Sequence, residues 1–281
     1  MQTYPLDDGA RIFVGMSTNL APTGADALAR RAGRILRRVR GFGLARQCPM
    51  CNALLARFEP EGESHAVLFE LDVVGGGRRD GVICPVCRAV DRERLVHLFL
   101  KQRALLADPD LRMVHVAPEQ VLGAQLRARL GSRYMSADLM TDFVDVNFDL
   151  TDIPYPDASF GAVICNHVME HIPDDGKAMR EVLRVLKPGG WAILQVPIGL
   201  KLEMTIEDPS VTDVPERERR FGQFDHIRIY SAGDYIARLT RAGFSVEPFR
   251  WTDASETYGG AANRFGLLEK EVLFFARKAA A

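Results

Sequence analysis

Hydrophobic positions in the second half of the chain alternate between short apolar runs and helical stripes. Runs typical of buried strands occur at 113–117, 134–137, 160–165, 191–196, 245–250 and 271–276. A helical stripe covers 175–186 and is ended by the turn 187–190, and a second helix begins at Ser231 and ends at Gly243. This alternation predicts an α/β fold with a mostly parallel sheet and helices on both faces.

The first half of the chain has weaker periodicity. Residues 25–40 predict a helix with outward arginines, either a solvated face or a contact to RNA. Two β-like pieces, 53–58 and 66–74, precede a predicted hairpin turn at Gly75–Gly77, and Asp91 is expected to cap a helix over 91–106. The predicted units are an arm at 1–24, a small module at 25–108, and a large domain at 109–281 with a lid-like insertion at 200–230.

Charge and composition limit the partners and the cellular location that we expect for this chain. The 36 basic and 37 acidic residues give a net charge of −1, so no global field favours nucleic acid or a membrane surface. No apolar run approaches the roughly 18 residues of a membrane span, and no signal-peptide pattern begins the chain. We therefore expect a cytoplasmic protein without a membrane partner.

Four of the five cysteines form two Cys-x-x-Cys pairs, Cys48 with Cys51 and Cys84 with Cys87. Two such turns can surround one Zn²⁺ tetrahedrally, and four thiolates leave no position for water or substrate, so the ion would be structural. The alternative is a set of buried apolar cysteines or a redox pair. Cys165 ends a predicted buried strand and is interpreted as a packing residue.

Three stretches together resemble a known family. They are Asp149–Phe160 (DLTDIPYPDASF), Asn166–Asp174 (NHVMEHIPD) and Leu186–Trp191 (LKPGGW). In this order they resemble class I S-adenosylmethionine-dependent methyltransferases, which implies a doubly wound, mostly parallel seven-stranded sheet. The resemblance covers about 112–278, and Gly161 departs from it because the family commonly has an aspartate there.

The resemblance implies a cofactor site at the strand ends. Asp138 would hold the ribose hydroxyls, with a helix cap or surface acid as the alternative. Asp149 and the Leu150 N–H resemble the family's contacts to adenine. Asn166 and His167 would face the methyl group, or else are simple turn formers.

The first strand-to-helix turn contains no glycine. Related enzymes place several glycines there, whereas this chain has Ala117-Pro118-Glu119. Proline fits the first turn of a helix and alanine is small, so we expect a tight turn. Glu119 would accept a hydrogen bond from the ammonium group of the cofactor.

Candidates for the chemistry are His171 and His226. His226 follows Asp225 inside the long insertion, so an Asp-His pair could act as an oriented base. The alternative is a structural histidine in a lid. Arg228 is expected to form a surface ion pair or to bind an anionic group of the acceptor.

The favoured function is methyl transfer from S-adenosylmethionine to a small-molecule or sugar-like acceptor. One alternative is an RNA or protein methyltransferase that uses the zinc module for recognition, and nucleic acid is the less favoured partner. Another is a non-catalytic binding protein on a decayed fold, suggested by the altered first turn. Homo-oligomerisation through the module is a further expectation.

Overall fold

The computed structural model describes residues 24–280, with side chains from residue 31 onward. Except for Gly24, which begins a helix, the predicted arm at 1–24 lies outside the described residues. The N-terminal module contains α1 (Gly24–Arg40), β1 (Arg46–Gln47), β2 (Leu54–Leu55), β3 (Glu59–Glu61), α2 (Ala66–Glu70), β4 (Val73–Val74), β5 (Arg79–Ile83) and α3 (Asp91–Gln102).

The remainder alternates strands and helices as the sequence predicted. Its elements are β6 (Met113–Val116), α4 (Gln120–Leu130), β7 (Tyr134–Asp138), β8 (Val146–Asn147), β9 (Phe160–Cys165), α5 (Asp175–Val185), β10 (Leu186–Ile193), β11 (Ile198–Gly199), β12 (Ile206–Glu207), α6 (Val214–Phe221), β13 (Arg228–Ile229), α7 (Ala232–Ala242), β14 (Ser245–Phe249) and β15 (Leu273–Arg277). Within residues 24–280, no helix is both long and apolar enough to cross a bilayer.

Seven strands form the central sheet in the order β14-β15-β10-β9-β6-β7-β8. Strand β15 runs antiparallel to both of its neighbours, and the other pairs are parallel. The predicted doubly wound, seven-stranded sheet is confirmed. The strand order reverses at β6, with β7 on one side and β9 on the other, which makes the gap beyond β6 and β9 the switch point where such sheets bind ligands.

Successive residues of the central strands enter two separate cores. On β6, Met113 packs into the core beneath α3 and α4, whereas Val114 packs into the core beneath α5 and α7. The first core is continuous with the cysteine module, because it also contains Cys48 and Cys84. The predicted domain border near 108–110 therefore lies in a loop, and one hydrophobic core extends from the module into the large domain across it.

Arg94 of α3 fastens the module to the C-terminal part of the chain. Its side chain is fully buried and donates to the carbonyl oxygens of Val82, Ala89, Phe265 and Gly266. The guanidinium also lies 3.9 Å from the ring centre of Phe58. Hydrogen bonds to several carbonyls offset the cost of burying its charge.

Several local predictions were wrong. The run 66–74 is split, because 66–70 forms α2 and only 73–74 is a strand; a short apolar run does not distinguish the two. The Gly75–Gly77 turn closes no hairpin, since β4 pairs with β11 and β5 pairs with β3.

Element ends were also misplaced. Val90 precedes α3 as its N-cap, and Asp91 is the first helical residue, bound to Arg79 at 2.7 Å. Helix α3 ends at Gln102. Strand β10 begins at Leu186, the last residue of the predicted helix, and runs through the predicted stop at 187–190. The edge strand β8 was missed because it is only two residues long.

The insertion packs against the module and not into solvent. Strands β12 and β13 pair with each other, and Phe221 of α6 packs on Leu68 of α2. Arg228 forms an ion pair, but not on the surface: it is 1% exposed, and its Nε donates to Glu207 at 2.9 Å. It also donates to the carbonyls of Met169, Ile172 and Pro173. These bonds tie the insertion to the segment that follows β9.

Candidate functional site

A cavity of about 410 Å³ lies at the switch point. Its floor is the carboxyl ends of β6 and β9, its walls come from α3 and the insertion, and the loop 75–76 of the module lines one side. The lining residues that bear on function are Gly75, Arg92, Ala117, Glu119, Asn166, His167, Glu170, His171, Gln223 and His226. A larger groove of about 720 Å³ lies away from this edge, between the module and residues 263–270.

The first turn keeps its shape without glycine. Ala117 takes a left-handed backbone conformation, with φ of 46°, and its N–H donates to Ala137 O at 2.8 Å. Proline is not in the first helical turn as predicted, because Glu119 is the N-cap and Pro118 precedes it. A non-glycine residue in this conformation costs about 1 kcal/mol or more, a strain that typically marks functional sites.

His167 has the same backbone conformation at the end of β9, with φ of 55°. Its N–H donates to Gln195 O at 2.7 Å. Glycine at position 75 permits the close approach of the module loop, because a Cβ there would lie 2.9 Å from His167 Cε1. Two strained turns on adjacent strands thus direct their side chains into one cavity.

Glu119 places a buried negative charge in this cavity. Its carboxylate lies 2.9 Å from His115 Nε2, 3.3 Å from Asn166 Nδ2 and 3.5 Å from Arg92 Nε. Burial acts to raise the pKa of Glu119, but His115 and Arg92 outweigh it and lower the pKa to about 2. The carboxylate is therefore ionised at neutral pH.

Helix α3 contributes two charged residues that the sequence reasoning missed. Glu93 accepts hydrogen bonds from the N–H groups of Val121 and Leu122 at 3.2 and 2.9 Å, which satisfies the start of α4. Arg92 faces the cavity, and its buried Nε has no hydrogen-bond partner. The acidic and basic residues at 91–94 looked like an ordinary helix start, so nothing local marked them.

A second charged cluster lies deeper, around Glu170. This side chain is 1% exposed, and neither carboxylate oxygen has a hydrogen-bond partner. Its Oε1 lies 3.4 Å from His167 Nδ1, 4.0 Å from His171 Nε2 and 3.9 Å from His226 Nε2. Burial acts to raise the pKa of Glu170, but the three histidines together lower it to about 2.

Two of the three histidines are poor bases. Burial, reinforced by His171, lowers the pKa of His226 to about 3. Burial also lowers the pKa of His167. The expected Asp225–His226 pair does not form, because the Asp225 carboxylate lies 3.5 Å from His171 Nδ1 instead.

The remaining predicted contacts lie outside this cavity lining. Asp138 ends β7, buried, and its Oδ1 accepts the N–H groups of Met140 and Thr141 at 2.9 and 3.1 Å. Asp149 accepts the Thr151 N–H at 2.7 Å, and Leu150 is 2% exposed. The structure thus brings Ala117, Glu119, Asn166, His167, His171 and His226 together, and leaves Asp138, Asp149 and Leu150 on the neighbouring strand ends.

Unpaired buried groups concentrate at the cavity. Across residues 31–280, nine buried side-chain nitrogen and oxygen atoms have no hydrogen-bond partner, and six of them belong to cavity-lining residues. Buried polar atoms without partners are rare in native proteins unless a ligand or ion completes them. The groups that line the cavity are therefore suited to a polar or charged ligand.

The four cysteines of the module form a separate cluster. Cys48 Sγ lies 3.7 Å from Cys87 Sγ, Cys51 Sγ lies 3.8 Å from Cys84 Sγ, and all four lie within 4.8 Å of one another. Each pair forms the same turn, in which the N–H of the residue after the second cysteine donates to the carbonyl of the first. Tetrahedral Zn–S bonds of 2.3 Å would separate the sulfurs by about 3.8 Å. Cys165 is buried on the opposite face of the sheet, as predicted.

Comparisons with known proteins agree with this architecture. Residues 94–194 match the family model described as "Methyltransferase domain". The chain is 29% identical over 180 residues to 27-O-demethylrifamycin SV methyltransferase of Amycolatopsis mediterranei, covering 59% of this chain and 61% of that protein. It is 29% identical over 143 residues to a probable S-adenosylmethionine-dependent methyltransferase of Mycolicibacterium smegmatis, covering 51% and 47%.

A solved structure, YcgJ from Bacillus subtilis, is 15% identical and covers 66% of this chain and all of its own length, with a TM-score of 0.42. The chain spans about half to three-fifths of the length of the two curated relatives, from Amycolatopsis mediterranei and Mycolicibacterium smegmatis. The matched segment begins at Arg94 in α3, so it includes part of the helix that carries Arg92 and Glu93.

Proposed function

We propose that this chain transfers a methyl group from S-adenosylmethionine to a small hydroxyl-bearing acceptor. The observation that carries the proposal is Glu119, an ionised and buried carboxylate at the switch point of the sheet, within the matched methyltransferase segment. The donor set fits the cofactor, because a sulfonium and an ammonium group are both cations and Glu119 and Glu170 are anions.

Glu119 and Arg92 would hold the amino-acid end of the cofactor. The carboxylate suits the ammonium group, and the unpaired Arg92 Nε suits the α-carboxylate; the two side chains are 3.5 Å apart. Helix α4 offers little to that carboxylate, because Glu93 already occupies its first N–H groups. In this arrangement side chains bind the amino-acid end of the cofactor, a role that the backbone has in glycine-rich turns.

The nucleoside end is assigned to the neighbouring strand ends. Asp138 remains the proposed contact for the ribose and Asp149 with Leu150 for adenine, since β7 adjoins β6 in the sheet. Asn166 and His167 lie between the two ends of the cofactor in this arrangement. The strain at His167 fixes its ring toward the cavity.

When bound, the cofactor supplies an activated methyl group on sulfur. The chain must position the acceptor in line with that group and exclude water. His171 and His226 are proposed to lie on the acceptor side, but a histidine with a pKa of about 3 is a weak general base at neutral pH. We therefore assign to His226 the orientation of the acceptor by hydrogen bonding.

The acceptor is proposed to be a small molecule. A cavity of about 410 Å³, lined on one side by the loop 75–76, leaves room for only a small acceptor beside the cofactor. The name of the Amycolatopsis relative specifies methylation of an oxygen on a small molecule, which supports a hydroxyl acceptor here. We further propose that one Zn²⁺ at Cys48, Cys51, Cys84 and Cys87 stabilises the module that lines one side of the cavity.

Calorimetric titration with S-adenosylhomocysteine tests the cofactor assignment. We expect binding by the unaltered chain and a loss of affinity of about tenfold or more in Glu119→Gln, because a charge-assisted hydrogen bond is lost. Glu256→Gln removes an exposed glutamate that does not line the cavity and should bind normally. Equal affinities for all three proteins would refute the role of Glu119, and no binding at all would refute the proposed function.

A further inference from the structure

Glu170 has an uncompensated charge that methyl transfer does not explain. Its carboxylate is buried, and both oxygens lack hydrogen-bond donors. Leaving an ionised carboxylate buried and unpaired costs several kcal/mol, so such groups are normally paired or bind a metal ion. The nearest groups are ring nitrogens of His167, His171 and His226, at 3.4 to 4.0 Å.

The spacing of these groups suits a metal ion. One carboxylate oxygen of Glu170 and one ring nitrogen each of His171 and His226 all lie within 4.8 Å of one another. An ion about 2.1 Å from each donor in a tetrahedral site requires donors about 3.4 Å apart. The two separations from Glu170 Oε1, 4.0 Å to His171 Nε2 and 3.9 Å to His226 Nε2, exceed this by about 0.5–0.6 Å, a difference that side-chain shifts can remove.

The histidine orientation also suits ligation. His171 Nδ1 lies 3.1 Å from the carbonyl oxygen of Asp225, which can accept its N–H, and the lone pair of Nε2 then points toward Glu170. A backbone carbonyl or carboxylate behind a histidine is the usual support of a metal-ligating ring. His226 Nε2 completes the set from the insertion, and its ring packs edge-on against His171 with centroids 4.8 Å apart.

We propose that Glu170, His171 and His226 bind one divalent transition-metal ion such as Zn²⁺, with an open position toward the cavity. Two imidazoles and one carboxylate are typical of catalytic zinc sites, where the remaining position takes water or substrate oxygen. His167 Nδ1 borders this open position, 3.4 Å from the same carboxylate oxygen. The ligand class at the open position is water or a hydroxyl oxygen.

This site differs from the cysteine cluster in location and in donors. The ion would link the segment after β9 to the insertion, because two ligands lie at 170–171 and the third at 226. A water or hydroxyl bound there would face the cavity that also holds Glu119. The inference does not depend on the proposed methyl transfer, since the ligands are complete without a cofactor.

Metal content of the full-length chain tests the proposal. After incubation with excess Zn²⁺ and desalting, we expect about two zinc ions per chain by mass spectrometry, one at each cluster. Glu170→Gln should retain about one. His97→Gln removes a histidine outside the cavity and should retain about two.

Cobalt(II) distinguishes the two sites by donor type. The cysteine cluster should give sulfur-to-cobalt charge-transfer bands, and the second equivalent should add only ligand-field bands. His226→Asn should lose the second component and keep the first, which also shows that the variant is folded. About one metal ion per chain in the unaltered protein, or two in Glu170→Gln, would overturn the proposal, whatever the result of the cofactor titration.

Discussion

The chain contains two clusters of metal-type donors that differ in how they are built. The four cysteines come from two short turns with the same local hydrogen bonds, and in each turn the first cysteine is buried and the second half-buried. Glu170 and its histidines come from separate segments and border a cavity with unpaired atoms. The cysteine cluster stabilises the fold of the module. The cluster around Glu170 is a binding site whose donors are held in place by the surrounding fold.

The difference also explains what each cluster does to its surroundings. The cysteine module packs into the same core as β6 and α4, so its integrity is coupled to the sheet. The cavity, by contrast, contains six of the nine buried polar side-chain atoms that have no hydrogen-bond partner within residues 31–280. Functional sites commonly retain such local costs because the rest of the structure offsets them.

The largest expected effect is on the closed cluster. Cys84→Ser should abolish zinc binding at the module and lower the free energy of unfolding by about 4 kcal/mol or more, because structural zinc binding is also folding energy. Thermal melting and zinc content measure this. Cys165→Ser alters a buried cysteine outside the cluster and should leave the zinc content of the module unchanged; an equal loss of zinc would contradict the assignment.

We expect the buried carboxylate of Glu271, behind the cavity, to make the stability of the chain depend on pH. Burial, with Asp91 nearby, raises the pKa of Glu271 to about 7 from an unfolded value near 4.5. The free energy of unfolding therefore keeps its full value below pH 4.5 and falls as the pH rises toward 7, by up to about 3 kcal/mol, because Glu271 must then ionise in a buried position. Glu271→Gln should be more stable than the unaltered chain at pH 8 and should flatten the profile between pH 4.5 and 7.

Chemical unfolding across this pH range measures the difference. Glu269→Gln, at an exposed position two residues away, should follow the unaltered chain. Gln195 contacts both Glu271 and the turn at His167, so the variant also probes the rear wall of the cavity. A parallel fall in stability for all three proteins would show that Glu271 is not the titrating group.

Removal of metal should distinguish the clusters by donor type, because four thiolates hold a zinc ion more firmly than two imidazoles and one carboxylate with an open position. If both bind zinc, a soluble chelator should remove the ion at Glu170 first and lower the melting temperature by a few degrees, since one ligand binding above its dissociation constant adds about 1–3 kcal/mol. The thiolate-bound ion should leave only after a mercurial reagent blocks the cysteines. Simultaneous release of all zinc by the chelator would contradict the distinction between closed and open sites.

The smallest expected effect is relief of strain at the first turn. Ala117→Gly should raise the free energy of unfolding by up to about 1 kcal/mol, because glycine adopts a positive φ without a Cβ clash. Chemical unfolding measures this, with Ala124→Gly as a control that should destabilise α4 by about 1 kcal/mol. Destabilisation by both variants would indicate that the turn is unstrained.

The sequence was informative where the signal is local or periodic. Strand and helix alternation predicted the sheet, and the spacing of the cysteine pairs predicted their meeting. Arg92 was not predicted, because it reaches the cavity only when α3 packs across the start of α4. Glu170 had a local signal that was overlooked: it lies with His167 and His171 in one short segment directly after a predicted buried strand, where ligand sites of such sheets occur.

A crystal structure with S-adenosylhomocysteine tests the central claim most directly, that the cavity at the switch point is the cofactor site. The account predicts the ammonium group of the ligand within hydrogen-bonding distance of Glu119 and its carboxylate beside Arg92, with the ribose toward Asp138. A ligand bound elsewhere on the chain, or a cavity filled by side chains that exclude it, would contradict that claim.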